Sequence, residues 1–188
     1  MSAAPQAPMP YRNIVLVGFM GTGKTTVGRM LSARLGLRFV DMDCVIEERQ
    51  RTSIASIFAE RGEPHFRALE RDLVRELAGQ GGLVVATGGG IVVNPDNVRD
   101  FSREGLVVCL RARPETILAR VAHETHRPLL EGDEKTKRIL SLLDARKELY
   151  GAIPHQVLTD GRAPEAIAAE IIALYNAGPS GSGSRAGR

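Results

Sequence analysis

The stretch "NIVLVGFMGTGKTTVGRMLSARLG", residues 13–36, decides the fold. It opens on a short, β-branched, almost uniformly apolar run, as in a strand buried on both faces. Behind that run Gly18, Gly23, Lys24 and Thr25 satisfy the pattern GxxxxGK[ST], and apolar positions then recur at helical period until Gly36. In the order strand, glycine-rich loop, helix, the loop's backbone N–H groups can wrap phosphate oxygens and the helix adds the positive end of its dipole. Lys24 then reaches the β and γ oxygens, and the Thr25 hydroxyl is placed for magnesium. Gly21, Thr22, Gly23, Lys24, Thr25 and Thr26 are the candidate ATP-binding residues. ATPase, GTPase, kinase and switch all remain open at this point.

The same alternation continues along the chain. Apolar runs recur as "LRFVD" from Leu37, "LVVAT" from Leu83, "LVVCL" from Leu106 and "HQVLT" from His155. Helical patterns lie between them, notably "EPHFRALERDLVRELAG" from Glu63 and "APEAIAAEIIALYNAG" from Ala163. Gly36, Gly79 and Gly178 fit C-terminal caps, and Pro64 and Pro164 fit first-turn positions. Strands alternating with helices predict a three-layer α/β/α fold, a parallel, doubly wound sheet whose ligands gather beyond the carboxyl ends of the strands. One domain is expected over residues 11–176; the Pro/Ala-rich residues 1–10 and the Gly/Ser-rich residues 177–188 are expected to be disordered extensions.

Composition narrows the partners. With 188 residues and 43% apolar content the chain can bury a single core. The 25 basic and 22 acidic residues nearly balance, and the arginines are spread among acids rather than gathered in a stripe. That favours small anionic ligands and argues against nucleic acid. Cys44 and Cys109 have no CxxC or histidine spacing, so they read as small buried or half-buried thiols rather than as a zinc site or disulfide. No apolar run approaches the length of about 18 residues that a membrane span requires, and "MSAAPQAPMP" lacks the features of a signal or transit peptide. A cytoplasmic monomer is expected.

Three further segments carry chemistry. No NKxD-type stretch for guanine is present, and the third strand ends in "TGGG" where large motor ATPases carry an acidic residue. "FVDMDC" ends the second strand with Asp41 and Asp43, which on an extended chain would point the same way. One could hold a magnesium shell through water and the other contact a hydroxyl nucleophile; alternatively Asp43 caps the helix that follows. "HFRALE" sets Arg67 and Glu70 three apart, so the carboxylate can orient the guanidinium, and "DARKELY" offers Arg146 on another helix. Arginines aimed at a cleft would recognise a carboxylate through paired N–H donors.

Taken together, "GxxGTGKTTVGRxLSxxL", "DMD", "GExxFRxLE", "ATGGGIV", "RPLL" and the arginine of "LLDARKELY", in this order, closely resemble the shikimate kinase family from about Arg12 to Tyr175. The resemblance implies a P-loop fold like that of nucleoside monophosphate kinases, with a five-stranded parallel sheet. It also implies ATP- and magnesium-dependent phosphorylation of the 3-hydroxyl of shikimate, on the route to chorismate and the aromatic amino acids. Carried over by position, Asp43 would bind the ring hydroxyls and accept the proton, Arg67 and Arg146 would clamp the carboxylate, and Gly88, Gly89 and Gly90 would bring backbone against the acceptor. Asp41 would act with Thr25 on magnesium, substrate-binding helices would span about 43–78, and "RVAHETHRPLLEGD" would supply a mobile lid at about 121–133. Arg127 of that segment would neutralise the phosphates and Arg120 would lie near the adenine, together with a loosely matched segment from Leu158 to Arg162. His65, His123 and His126 receive no role. A gluconate-kinase-like enzyme is the nearest rival, since gluconate is also a polyhydroxy carboxylate. A non-catalytic nucleotide-binding module is the other rival and predicts a damaged Lys24, Asp43 or Arg127, all of which are present.

Overall fold

A computed structural model of the chain describes residues 11–122 and 133–178. Strands β1 (Asn13–Val17), β2 (Arg38–Asp41), β3 (Leu83–Ala86), β4 (Gly105–Arg111) and β5 (His155–Leu158) form one sheet in the order β2-β3-β1-β4-β5. Every pairing is parallel.

The uniformly apolar strands follow from what covers them. Ile14 and Leu16 of β1 point to one face, where Val84, Val108 and Val157 join them beneath Val27 and Leu31 of α1 (Lys24–Leu35) and Ile167 and Ile171 of α7 (Pro164–Ala177). Val15 and Val17 point to the other, toward α3 (Ile54–Ala78), α4 (Pro95–Ser102), α5 (Pro114–Ala122) and α6 (Asp133–Gly151), which contribute Leu73, Val74, Phe101, Ile117 and Ile139. With helices on both faces neither parity of residue meets water along β1, β3 and most of β4, and exposed residues occur only at the end of β4 and on the edge strands β2 and β5.

The pairing registers level the strand ends. Leu16 stands beside Ala86, and Ala86 beside Asp41. The phosphate loop, the "TGGG" turn and the Asp41–Asp43 corner therefore leave the sheet at one height. β1 lies between β3 and β4, so chains emerging on either side diverge and leave a crevice there.

Several local expectations are revised. Asp43 is not on extended chain: α2 (Met42–Gln50) begins directly after β2, and Asp43 occupies its first turn. The cap is Asp41, whose Oδ1 accepts the N–H groups of Asp43 at 3.1 Å and Cys44 at 3.4 Å. Helix α3 starts at Ile54, well before Glu63, and is kinked at Gly62, with Pro64 in the first turn beyond the kink. Proline is tolerated there because the N–H it lacks would have had no helical partner. Gly36 caps α1 in the left-handed conformation, whereas Gly79 ends α3 with right-handed angles.

Val121 and Ala122 belong to α5, and Asp133 opens α6, so the ends of the expected lid are helical. Val121 is buried one turn beyond Ile117 and extends the same apolar face. The rest of that segment, with His123, His126 and Arg127, lies outside the described residues, as do residues 1–10 and 179–188. Helix α7 reaches Ala177, one residue into the expected tail. Cys109 is buried but Cys44 is exposed. Among the described residues, no helix is long and apolar enough to cross a membrane.

Candidate active site

The phosphate loop turns between β1 and α1 with Gly21 and Gly23 at φ of 72° and 91°, which side chains rarely adopt. Gly23 stands at the N-cap of α1 with no side-chain cap, leaving the first-turn N–H groups directed at the loop. Lys24 folds over it, its Nζ donating to the carbonyls of Gly18 and Phe19, each at 2.9 Å. Thr22 is buried and its hydroxyl donates to the Phe19 carbonyl at 2.8 Å, so this side chain braces the loop.

Next to the loop, the Thr25 hydroxyl donates to Asp41 Oδ2 at 2.9 Å. Asp41 therefore has two jobs: one oxygen caps α2, and the other meets the residue expected at the metal. A cavity of about 510 Å³ runs past these groups, lined by Lys24, Thr25, Thr26, Asp41 and Asp43 along one side and by Arg120, Thr159 and Arg162 at its far end. Arg120 spans that end, donating to the Gly21 carbonyl at 3.0 Å and to Thr159 O and Oγ1 at 3.0 and 3.1 Å. It ties the phosphate loop to the turn after β5.

On the other side of Asp43 lies a second, more buried group of charges around the glycine triple. Arg67 donates through Nη1 to Glu70 Oε2 at 2.8 Å, and through Nε and Nη2 to Glu63 Oε1 at 3.1 and 3.0 Å. Its guanidinium also lies 5.2 Å from the centre of the Phe66 ring. Glu70 is only 1% exposed, and its Oε1 has no hydrogen-bond partner among the described residues. Burial pushes Glu70 above the usual carboxylate range, further than Arg67 pulls it down, and the negative Asp43 adds to the rise. For Arg67 burial acts downward, but the charges and hydrogen bonds of Glu70 and Glu63 prevail and raise it.

The geometry supplies a reason for two of the three glycines that the sequence does not display. A Cβ on Gly88 would lie 2.8 Å from Asp43 Oδ1 and 3.2 Å from Glu70 Oε1, and one on Gly90 would lie 2.7 Å from Arg67 Cζ. Both positions are small so that charged side chains can press against the turn. At Gly89 the nearest atom would be Met20 N at 3.5 Å, an ordinary contact, so among the described residues no protein group requires glycine there. The Gly89 carbonyl accepts from Arg146 Nη1 at 3.1 Å and from the Tyr150 hydroxyl at 2.5 Å, both on α6. The structure thus gathers Asp43, Arg67, Arg146 and Gly88–Gly90 on one side, and Gly21–Thr26, Asp41 and Arg120 on the other.

Sequence reasoning did not single out Glu63, Thr159 or Tyr150. Tyr150 carried a usable signal, its spacing of four from Arg146 on one helix face. Thr159 lies within the Leu158 to Arg162 segment that the resemblance grouped with Arg120, although no residue of that segment was chosen individually. His65 lies 3.3 Å from Arg61 across the kink of α3, a contact between neighbouring turns.

A phosphate loop at the crossing point of a parallel sheet, beside a compartment of arginines and carboxylates, defines a P-loop kinase of small molecules. The sequence model of the shikimate kinase family matches residues 20–176. A shikimate kinase of Geobacter metallireducens is 44% identical over 165 residues, covering 88% of this chain and 92% of the relative. The structure of shikimate kinase from Acinetobacter baumannii in complex with shikimate matches with a TM-score of 0.81 at 36% identity, over 88% of this chain and 93% of that one. The chain belongs to the shikimate kinase family. A gluconokinase from Sinorhizobium meliloti, at 15% identity and a TM-score of 0.57, shares the fold alone.

Proposed function

We propose that the chain transfers the γ-phosphoryl group of ATP to the 3-hydroxyl of shikimate, giving shikimate 3-phosphate and ADP, on the route to chorismate and the aromatic amino acids. The observation that carries this reading is the placement of Asp43, which lines the phosphate cavity while its Oδ1 stands against Gly88 on the side of Arg67 and Glu70. A hydroxyl held there lies between a carboxylate and the phosphate loop.

In the transfer, the acceptor oxygen forms a bond to the γ-phosphorus while the bond from that phosphorus to the β,γ-bridging oxygen breaks; the hydroxyl proton passes to Asp43. Arg67 and Arg146 bind the acceptor carboxylate, Arg67 being held in direction by Glu63 and Glu70. Glu70 Oε1, buried and without a hydrogen-bond partner among the described residues, is the acceptor offered to a ring hydroxyl or a bridging water. Lys24 exchanges its two loop carbonyls for phosphate oxygens.

The oxygens of Thr25 and Asp41, 2.9 Å apart, suit magnesium, which takes hard oxygen donors and few protein ligands. Among the described residues no cluster of three or more His, Cys, Asp or Glu side chains could hold a metal, consistent with an ion that takes its other ligands from water and phosphate. When bound, the ion neutralises charge developing on the β and γ oxygens. A monomer working in the cytoplasm completes the reading, the two free thiols fitting a reducing compartment.

The test is ADP release from the purified protein with Mg-ATP, comparing shikimate, gluconate and no acceptor. Stimulation by shikimate is expected. Stimulation by gluconate instead would keep the phosphate machinery and void the acceptor assignments, and stimulation by neither would refute the proposal.

A further inference from the structure

Near the end of α6, Arg146 and Tyr150 stand one turn apart on the same face and donate to a single backbone oxygen, the Gly89 carbonyl. We infer that Tyr150 is a positioning residue for the acceptor site, its hydroxyl fixing the Gly89 carbonyl and, through that shared oxygen, orienting both the middle of the glycine triple and the guanidinium of Arg146. The inference rests on the reading of this compartment as the shikimate site.

Three features support it. First, the middle of the triple has little else to hold it. Gly89 has no side chain, and its nearest neighbour would be at ordinary contact distance even from a Cβ. Glycine is the residue with the most backbone freedom to lose. Because the peptide unit is planar and trans, fixing the Gly89 carbonyl toward α6 also turns the Gly90 N–H to the opposite side, and one hydrogen bond thereby sets a donor as well as an acceptor.

Second, the anchor is buried. Tyr150 is 6% exposed and packs in the core with Ile139 and Ile153, which restricts its ring although one side of it borders a cavity of about 480 Å³. Burial pushes its phenol up to about 12, further than the neighbouring Arg146 and Arg67 pull it down, so the hydroxyl remains a donor at ordinary pH.

Third, a carbonyl oxygen has two lone pairs and here receives two side-chain donors. Arg146 spends one N–H on that oxygen, and its remaining donors are then fixed in direction by the planar fork. A displaced Gly89 carbonyl would carry Arg146 with it. Tyr150 itself need not touch the acceptor.

The experiment is steady-state kinetics of the full chain with Tyr150→Phe, which keeps the ring in the core and removes only the donor. The loss of one such hydrogen bond should raise the shikimate KM about three- to tenfold while the ATP KM changes by less than about twofold. The cycle with Arg146→Lys should be non-additive in shikimate kcat/KM, because both residues act on the same oxygen. A tyrosine that merely packs would lower Tm and leave the ratio of the two KM values unchanged, or move both alike, and either result overturns the inference, as does additivity in the cycle. If the phenylalanine protein does not fold, Tyr150→Met removes the same donor, and the same ratio is read. Wild-type protein assayed alongside separates the two levels: no turnover of shikimate by wild type refutes the proposed function, whereas turnover with a flat ratio refutes only the role of Tyr150.

Discussion

Gly90→Ala should damage the acceptor site while sparing the fold. Gly90 has φ of −101° and ψ of 1°, angles that an alanine can adopt, so the backbone gains no strain. The new methyl group, however, would lie 2.7 Å from Arg67 Cζ, whereas ordinary contact begins near 3.4 Å. The Nη1 nitrogen would be nearer at 2.5 Å and Nη2 nearer still, so the guanidinium must retreat by about 1 Å to restore ordinary contact. Arg67 is bonded to Glu63 and Glu70 on its other sides, so it cannot retreat without disturbing at least one of them. A misplacement of that order at a substrate-positioning group costs on the order of 100-fold in rate. Shikimate kcat/KM should therefore fall by about 30- to 100-fold, with the ATP KM unchanged because the phosphate loop is untouched. The stability cost of loosening one half-buried ion pair is partly offset by the gain of about 0.4–1 kcal/mol from restricting the unfolded chain. Tm should move by only a few degrees for a chain of this size. Coupled ADP-release kinetics at varied shikimate, beside a thermal melt, give both numbers. A kcat/KM within threefold of wild type would mean that the position of Arg67 does not matter to the acceptor, and the account of the glycine triple would fail.

Three other outcomes follow from the same geometry. Gly89→Ala meets no atom of the described residues closer than 3.5 Å, so Tm should hold while shikimate kcat/KM drops at least about tenfold if the acceptor lies against that backbone; unchanged kinetics would remove Gly89 from the acceptor wall. Asp43→Asn should depress kcat by about 100-fold or more and leave the ATP dissociation constant intact by calorimetry, since the amide cannot take the hydroxyl proton; near wild-type turnover would dismiss Asp43 as the base. Tyr150 has a folded-state pKa of about 12 against an ordinary 10, so the folded protein keeps that proton longer than the unfolded chain. Its contribution to stability is complete below pH 10 and is lost as pH rises through about 12. Urea denaturation from pH 9 to 12 should show a shallower decline in Tyr150→Phe than in wild type, and parallel curves would show that the phenol's burial carries no such linkage.

The fold was legible because its signals are local. Asn13–Val17 and the glycines behind it report a buried strand and a phosphate loop from adjacent residues alone, and each of the other apolar runs marks a strand in the same way. Helix α3 was legible only beyond Glu63, because Gly62 and Pro64 interrupt the helical period that continues upstream to Ile54. Asp41 and Asp43 were assigned the wrong geometry: the spacing of two was read on extended chain, and a cap at Asp41 converts it into a helix corner.

By itself, then, the sequence determined that this is a P-loop kinase fold and which residue types it carries to the carboxyl ends of the strands, because those features depend on periodicity and short motifs. It also determined the family, through motifs that hold their order across the chain. Only the tertiary structure decided why Gly88 and Gly90 must be glycine and what holds Gly89 between them. The atoms that press on Gly88 and Gly90 come from Asp43, Glu70 and Arg67, and those that hold Gly89 come from Arg146 and Tyr150. These partners lie far from the triple in the chain, on α2, α3 and α6. Steric exclusion and hydrogen bonding act through space over a few ångströms, and which segments come within that range is settled by the packing of helices on the sheet.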